Sequence, residues 1–284
     1  MPQIAFQGAL GANSHIACLN LYPDYEIVPC GTFDQAFHRL KAGEVDLALL
    51  PIENTVAGRV ADLHRLMPGG GAYIIGEYFM PIHHNLLAPK HTKIEELTHV
   101  HSHEMALGQC RKVINELALT PVVRFDTAGA AHELAQMSAA EASGHAAIAS
   151  VLAAEIYALE ILRENIEDAP NNMTRFLVLS AAPDDADPTD GDIITSFIFT
   201  VRNIPSALYK ALGGFATNNV NMTKLESYQP DGLMATQFYA DIEGHPHNDA
   251  VRLALEELGF YCTKMEVLGV YKAAPEREKW RQNK

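Results

Sequence analysis

The stretch Ala181-Ala182-Pro183-Asp184-Asp185-Ala186-Asp187-Pro188-Thr189-Asp190-Gly191-Asp192 constrains the fold more than any other. It holds two prolines, five aspartates and no large apolar side chain. Such a segment contributes little to a core and reads as a linker. It divides the 284-residue chain into a part spanning 1–182, a linker over 183–192 and a part spanning 193–284.

In the first part, short apolar runs alternate with helical periodicity. Gln3 to Phe6 reads as a strand that turns at Gly8 and Gly11 into a helix near Ser14. Val45 to Ile52 reads as a buried strand, with Glu53-Asn54-Thr55 introducing a helix that holds Val60, Leu63 and Leu66. Further strand-to-helix steps fall near Val100 and Ser102, at Val122 to Phe125 before Asp126 and Thr127, and at Ala146 to Ala149 before Ser150. Each strand ends in polar residues able to cap a helix N-terminus. The pattern predicts α/β architecture with largely parallel sheet. The chain crosses out near 74–83 and returns near Thr174, which predicts two lobes with a cleft between them.

The second part has another rhythm: strand 194–201, helix 205–217, strands 220–228 and 234–242, helix 246–258 and strand 261–270. That order is the ferredoxin-like βαββαβ arrangement. Pro205 and Pro246 are expected in first helical turns, where a missing N–H costs nothing extra.

Composition excludes several classes of function. The formal charge is −14, so nucleic acid and anionic membrane are repelled over the surface as a whole. An anionic small substrate then requires a local basic site. Cys18, Cys30, Cys110 and Cys262 stand far apart, without the paired spacing of a zinc site, redox pair or disulfide framework. No segment reaches the length of a membrane span, and the N-terminus leads directly into a strand. A cytoplasmic protein with buried free thiols is expected.

Three motifs carry candidate chemistry. Gly8-Ala9-Leu10-Gly11-Ala12-Asn13-Ser14 would let backbone approach a carboxylate, or serve as an ordinary strand-to-helix turn. In Pro51-Ile52-Glu53-Asn54-Thr55-Val56-Ala57-Gly58, Asn54 and Thr55 either cap a helix or hydrogen-bond a ligand. Glu53 is either a buried orienting carboxylate or a solvated one. The run Asn171-Asn172-Met173-Thr174-Arg175-Phe176 sets a hydroxyl beside a guanidinium at the start of an apolar strand. In a regular strand Thr174 and Arg175 point to opposite faces, so Arg175 reaches a shared ligand only on irregular backbone. Otherwise it is a structural clamp, to a carboxylate such as Glu53.

His99, His101 and His103 alternate as along one strand face, but no carboxylate or cysteine completes a recognisable ligand spacing, so no metal is expected. His83 and His84 read as turn or surface residues. Met67-Pro68-Gly69-Gly70-Gly71 lacks the Lys-Ser/Thr of a phosphate-binding loop.

The glycine turn, Pro51-Ile52-Glu53-Asn54-Thr55, Ser102-His103 with Gln109-Cys110, and Thr174-Arg175-Phe176 occur in an order that resembles the prephenate dehydratases. The C-terminal part resembles the ACT regulatory domain that follows their catalytic domain. The resemblance implies a periplasmic-binding-protein-like catalytic domain of two lobes. It implies a carbon–oxygen lyase that converts prephenate to phenylpyruvate, carbon dioxide and water in phenylalanine biosynthesis, without a cofactor. Arogenate dehydratase is the neighbouring alternative, and a non-catalytic sensor of a small carboxylate is a further one. It also implies a catalytic role for Thr174 and substrate-binding roles for Asn54, Thr55, Ser102, Gln109, Thr127, Arg175 and Phe176. Ser206, Ala207, Leu208, Glu226 and Ser227 fall on the positions that bind phenylalanine as effector in a homodimer or homotetramer. Ser206 stands where the family motif has glycine, and Tyr228-Gln229 replaces the usual Arg-Pro.

Overall fold

The computed structural model describes residues 1–228 and 236–282. Two compact units emerge, one of residues 1–63 with 79–176 and the other of 64–78 with 177–284.

The first unit opens β1 (Gln3–Gln7), α1 (Asn13–Leu21), β2 (Glu26–Cys30), α2 (Phe33–Lys41), β3 (Leu47–Asn54), β4 (Gly58–Arg59) and α3 (Ala61–Leu66). β1 pairs in parallel with β2 and β3. Burial of Ile4 to Phe6 and Leu47 to Leu50 explains their near-continuous apolar character. α2 shows how these helices are specified. Thr32 caps it by accepting from the Gln35 N–H, Ala36, Phe37 and Leu40 form its buried stripe, and its last turn is basic.

The helix expected to follow Asn54 does not form there. Glu53 pairs with Arg59 and Asn54 with Gly58 in a tight hairpin, and α3 begins only at Ala61. Gly58 sits at φ +83°, a conformation open to glycine at little cost.

β5 (Tyr73–Pro81) leads to β6 (Asn85–Ala88), β7 (His99–His103), α4 (Glu104–Gln109), α5 (Arg111–Glu116) and β8 (Thr120–Arg124). After these come α6 (Thr127–Gln136), β9 (His145–Ala149), α7 (Val151–Ile156), β10 (Glu160–Arg163) and β11 (Met173–Ser180). One sheet runs β2-β1-β3-β11-β5 with β4 beside β3, and the other runs β10-β6-β9-β7-β8. These sheets form the two lobes. β7 extends through Ser102 to His103, so the helix starts at Glu104 rather than near Ser102. Leu86, Val100, Leu107, Ile114, Ala146 and Ile148 build the second lobe's core.

The second unit adds β12 (Ile193–Val201), α8 (Ala207–Thr217), β13 (Met222–Tyr228), β14 (Gln237–Glu243), α9 (Asp249–Tyr261), β15 (Cys262–Lys272) and α10 (Glu276–Gln282). The sheet order β13-β14-β12-β15, antiparallel throughout, is the ferredoxin-like plan expected of an ACT domain. Phe197, Phe199, Phe215, Phe238 and Leu258 pack between its sheet and helices. Pro205 and Pro246 lie ahead of α8 and α9, in the approach turns rather than the first helical turns. Met234 and Gln229 lie outside the described residues. The acidic stretch is tied down: the Ala186 N–H donates to the Val270 carbonyl, and Lys272 pairs with Asp190 at 3.3 Å.

Candidate active site

β1, β2, β7 and β8 each end at one cleft within the first unit, of about 650 Å³. Ligands of open α/β sheets bind past strand carboxyl ends, where helix N-termini present N–H groups. Ala12, Asn13 and Ser14 of α1, Thr32 and Phe33 of α2, and Asp126 and Thr127 of α6 line this cleft. α1 has neither a side-chain cap nor an acid in its first turn, so its positive end is the least neutralised of the three. The glycine turn before it is braced from the second lobe, since Ser150 Oγ donates to the Gly11 carbonyl and Tyr157 to that of Leu10. A Cβ on Gly11 would stand 2.8 Å from Ala153 Cα.

β3 and β11 are neighbours, and strand alternation sorts their polar residues. Asn54, Thr174 and Phe176 line the cleft, whereas Arg175 and Glu53 do not. Arg175 is 2% exposed, pairs with Glu53 Oε1 at 3.2 Å and lies 5.8 Å over the Phe79 ring. Its guanidinium is therefore a clamp between strands, and Glu53 is its orienting carboxylate. The structure places Arg175 away from the cleft surface, because β11 is regular there.

Thr55 and Ser102 also stand apart from the lining residues. The Thr55 hydroxyl donates to the Asn171 carbonyl at 2.7 Å and accepts from the Met173 N–H, fastening the hairpin to the start of β11. Ser102 is fully buried, and its hydroxyl donates to the Ile148 carbonyl across β7 and β9. Both hydroxyls are consumed internally, which motif matching does not reveal. Gln109 and Thr127 do line the cleft.

Two lining or bridging residues escaped sequence reasoning. Asn172 Nδ2 donates to Gln109 Oε1 at 3.0 Å, and its Oδ1 accepts from Asn54 Nδ2 at 2.8 Å. Its signal was present, because Asn172 precedes Thr174 by two on an extended chain. His84 is 3% exposed, lines the cleft, and bonds Gln109 through Nε2 at 2.7 Å, so it is no surface residue. Nothing in the sequence pairs positions 84 and 109. Burial lowers the His84 pKa, keeping the ring neutral.

The remaining groups narrow the chemistry. Among the described residues no three His, Cys, Asp or Glu are arranged to hold a metal ion. His101 Nε2 and His145 Nδ1 bond each other directly at 2.7 Å, and His99 stacks on His145. Cys18, Cys30 and Cys110 are buried free thiols, and burial pushes Cys18 up to about 12 and Cys262 up to about 11. No cysteine lines the cleft as a thiolate source. The hydroxyls that line it are Ser14, Thr32, Thr127 and Thr174.

In the second unit, Ser206 to Leu208 form the start of α8, and Glu226 and Ser227 lie at the end of β13. Ser206 is left-handed at φ +63° and makes no side-chain cap. Glu226 pairs with Lys224 at 3.2 Å, and Tyr228 Oη lies 2.5 Å from His64 Nδ1.

Among known proteins, the sequence profile of the prephenate dehydratases matches residues 4–184. A bifunctional N-acyl-homoserine lactone acylase/prephenate dehydratase of Komagataeibacter europaeus is 46% identical over 277 residues, covering 97% of this chain and 98% of that protein. Arogenate dehydratase/prephenate dehydratase 2 of Arabidopsis thaliana is 37% identical over 279 residues, covering 95% and 72%. The crystal structure of prephenate dehydratase from Arthrobacter aurescens in complex with L-Phe superimposes with a TM-score of 0.86 at 28% identity, covering 99% and 98%. The profile match, the relatives along nearly the whole chain and the shared architecture agree, and the chain belongs to the prephenate dehydratase family.

Proposed function

We propose that the chain converts prephenate to phenylpyruvate, carbon dioxide and water. The observation that carries this reading is a hydroxyl, Thr174, standing in a cleft ringed by helix N-termini. The reaction releases the ring carboxylate as carbon dioxide, moves its bonding pair into the ring and expels the hydroxyl, which gains one proton to become water. Aromatisation supplies the driving force, so the site has to hold an anion and stabilise the departing oxygen. Thr174 is a weak acid and serves by a hydrogen bond that strengthens as the hydroxyl leaves. Helix N-termini, with α1 foremost, offset the carboxylate charge.

Arogenate is the second reading, favoured by the residues around the anion site. Asp34, Asp62 and Asp126 line the cleft and among the described residues no Lys or Arg does, which suits the ammonium group that arogenate carries. Purified protein supplied with each substrate separately decides between them by the appearance of phenylpyruvate or phenylalanine. Absence of both products would end the dehydratase reading. Because of the Komagataeibacter relative, a third arm supplies an N-acyl-homoserine lactone and follows the free fatty acid. Thr174→Ala is expected to fold normally and to lose turnover by at least about 100-fold. Near-normal turnover in that variant removes Thr174 from the mechanism.

The ferredoxin-like unit serves on this reading as an ACT domain that binds phenylalanine, supported by the L-Phe complex of the Arthrobacter relative. Calorimetric titration tests it, and an absence of heat with unchanged activity at millimolar phenylalanine would refute regulation.

A further inference from the structure

Asn54 holds a fixed hydrogen-bonding sense that propagates through the cleft wall. Its Oδ1 accepts from the Val56 and Ala57 backbone N–H groups at 2.9 and 2.7 Å. Backbone N–H groups can only donate, so oxygen and nitrogen of this amide are assigned without ambiguity. Nδ2 then donates both hydrogens, to Asn172 Oδ1 at 2.8 Å and to Thr174 Oγ1 at 2.9 Å. Both lone pairs and both hydrogens of Asn54 are spent inside the protein, leaving nothing for a substrate.

The sense passes onward. Asn172 Oδ1 accepts, so its Nδ2 donates to Gln109 Oε1. Gln109 Oε1 also faces His84 Nε2 at 2.7 Å, and as an acceptor it requires that nitrogen to carry the proton. His84 Nδ1 is thereby a bare lone pair, and it is buried without a hydrogen-bond partner. At the other end Thr174 Oγ1 accepts from Asn54, which frees its hydroxyl hydrogen to point into the cleft.

We propose that Asn54 is a positioning residue rather than a substrate ligand. It turns the Thr174 proton outward, and the chain through Asn172, Gln109 and His84 locks that polarity. The proposal rests on Thr174 acting in the dehydration. It assigns the amide hydrogens of Gln109 and the hydroxyl of Thr174 as donors to substrate, while His84 Nδ1 stays buried behind the wall.

Asn54→Asp tests it with almost no change of shape. The carboxylate still accepts from Val56 and Ala57 but has no hydrogen for Thr174, whose hydroxyl then donates backward to it. Turnover is expected to fall by at least about 100-fold with KM changed less than about threefold. In a Thr174→Ala background the same substitution is expected to change turnover less than about twofold. Multiplying losses in the double variant, or a raised KM with turnover kept, would make Asn54 a substrate ligand and overturn the proposal. A tautomer measurement on the unaltered protein decides the case where Asn54→Asp fails to fold. Nitrogen-15 shifts at neutral pH should show His84 protonated at Nε2 and bare at Nδ1, and the opposite tautomer would reverse the chain and overturn it. Because that readout involves no turnover, it stands or falls separately from the reaction assigned to the cleft.

Discussion

At the scale of single residues, the left-handed backbone at Ser206 has a physical consequence. A non-glycine residue at φ +63° meets the steric cost of the left-handed region, and Ser206 makes no cap hydrogen bond to offset it. Ser206→Gly is therefore expected to stabilise the protein by about 1 kcal/mol, the strain relieved less the entropy glycine loses on folding. A urea unfolding midpoint at constant slope measures this, and a lowered midpoint would contradict it. The motifs supplied Asn54, Gln109, Thr127, Thr174 and Phe176, which share one cleft, and alternation along the strand had offered Arg175 as a clamp to Glu53, the outcome found. Thr174 and Arg175 are adjacent, and strand alternation alone separated cleft from clamp. Thr55 and Ser102 could not be sorted, because their partners are carbonyls at Asn171 and Ile148, and backbone carbonyls leave no mark in sequence.

At the scale of elements, β7 and β9 bring three imidazoles together. His101 lies deep in this group, and burial, then Arg124, His145 and His99, depress its pKa to about 4. An unfolded chain binds the proton near pH 6.5, so between about 6.5 and 4 the unfolded state holds more protons. Stability present above that window is lost as pH falls through it, by up to about 3 kcal/mol at roughly 1.4 kcal/mol per pKa unit. Arg124 and the neighbouring His99 and His145 face the same imidazole, and burial also lowers His145, so the loss is shared within the group. Thermal midpoints taken from neutral to pH 4.5 should fall, and His101→Gln should flatten the slope. An unchanged slope would refute the assignment. The strands themselves were legible from apolar runs and caps, including Asp126 and Ser150. The hairpin at Asn54 was not, because capping residues and Asx turns use the same side chains for the same purpose. Its Asn54 side chain accepts N–H groups as a cap would, yet the chain reverses instead of coiling.

At the scale of the whole molecule, the change of rhythm after residue 182 announced the ferredoxin-like unit. What it hid is that residues 64–78 join that unit too. There Glu77 is fully buried and held by Arg277 through Nε at 2.5 Å and Nη2 at 2.8 Å, while the Ala274 N–H donates to the same carboxylate. Positions 77 and 277 pair only once the fold exists, so periodicity is blind to them. The cleft was anticipated as a place but not in its polarity: α-helix ends, amides and hydroxyls line it with three aspartates, and among the described residues no Lys or Arg takes part. That wall has a kinetic consequence under ionic strength. A protein of charge −14 repels an approaching anion from afar, and among the described residues no Lys or Arg in the cleft draws it in. Added salt shortens the Debye length from ~30 Å at 0.01 M to ~8 Å at 0.15 M. Over that range kcat/KM for an anionic substrate should rise, where an arginine-lined site would show it falling. Initial rates at substrate well below KM read the sign directly.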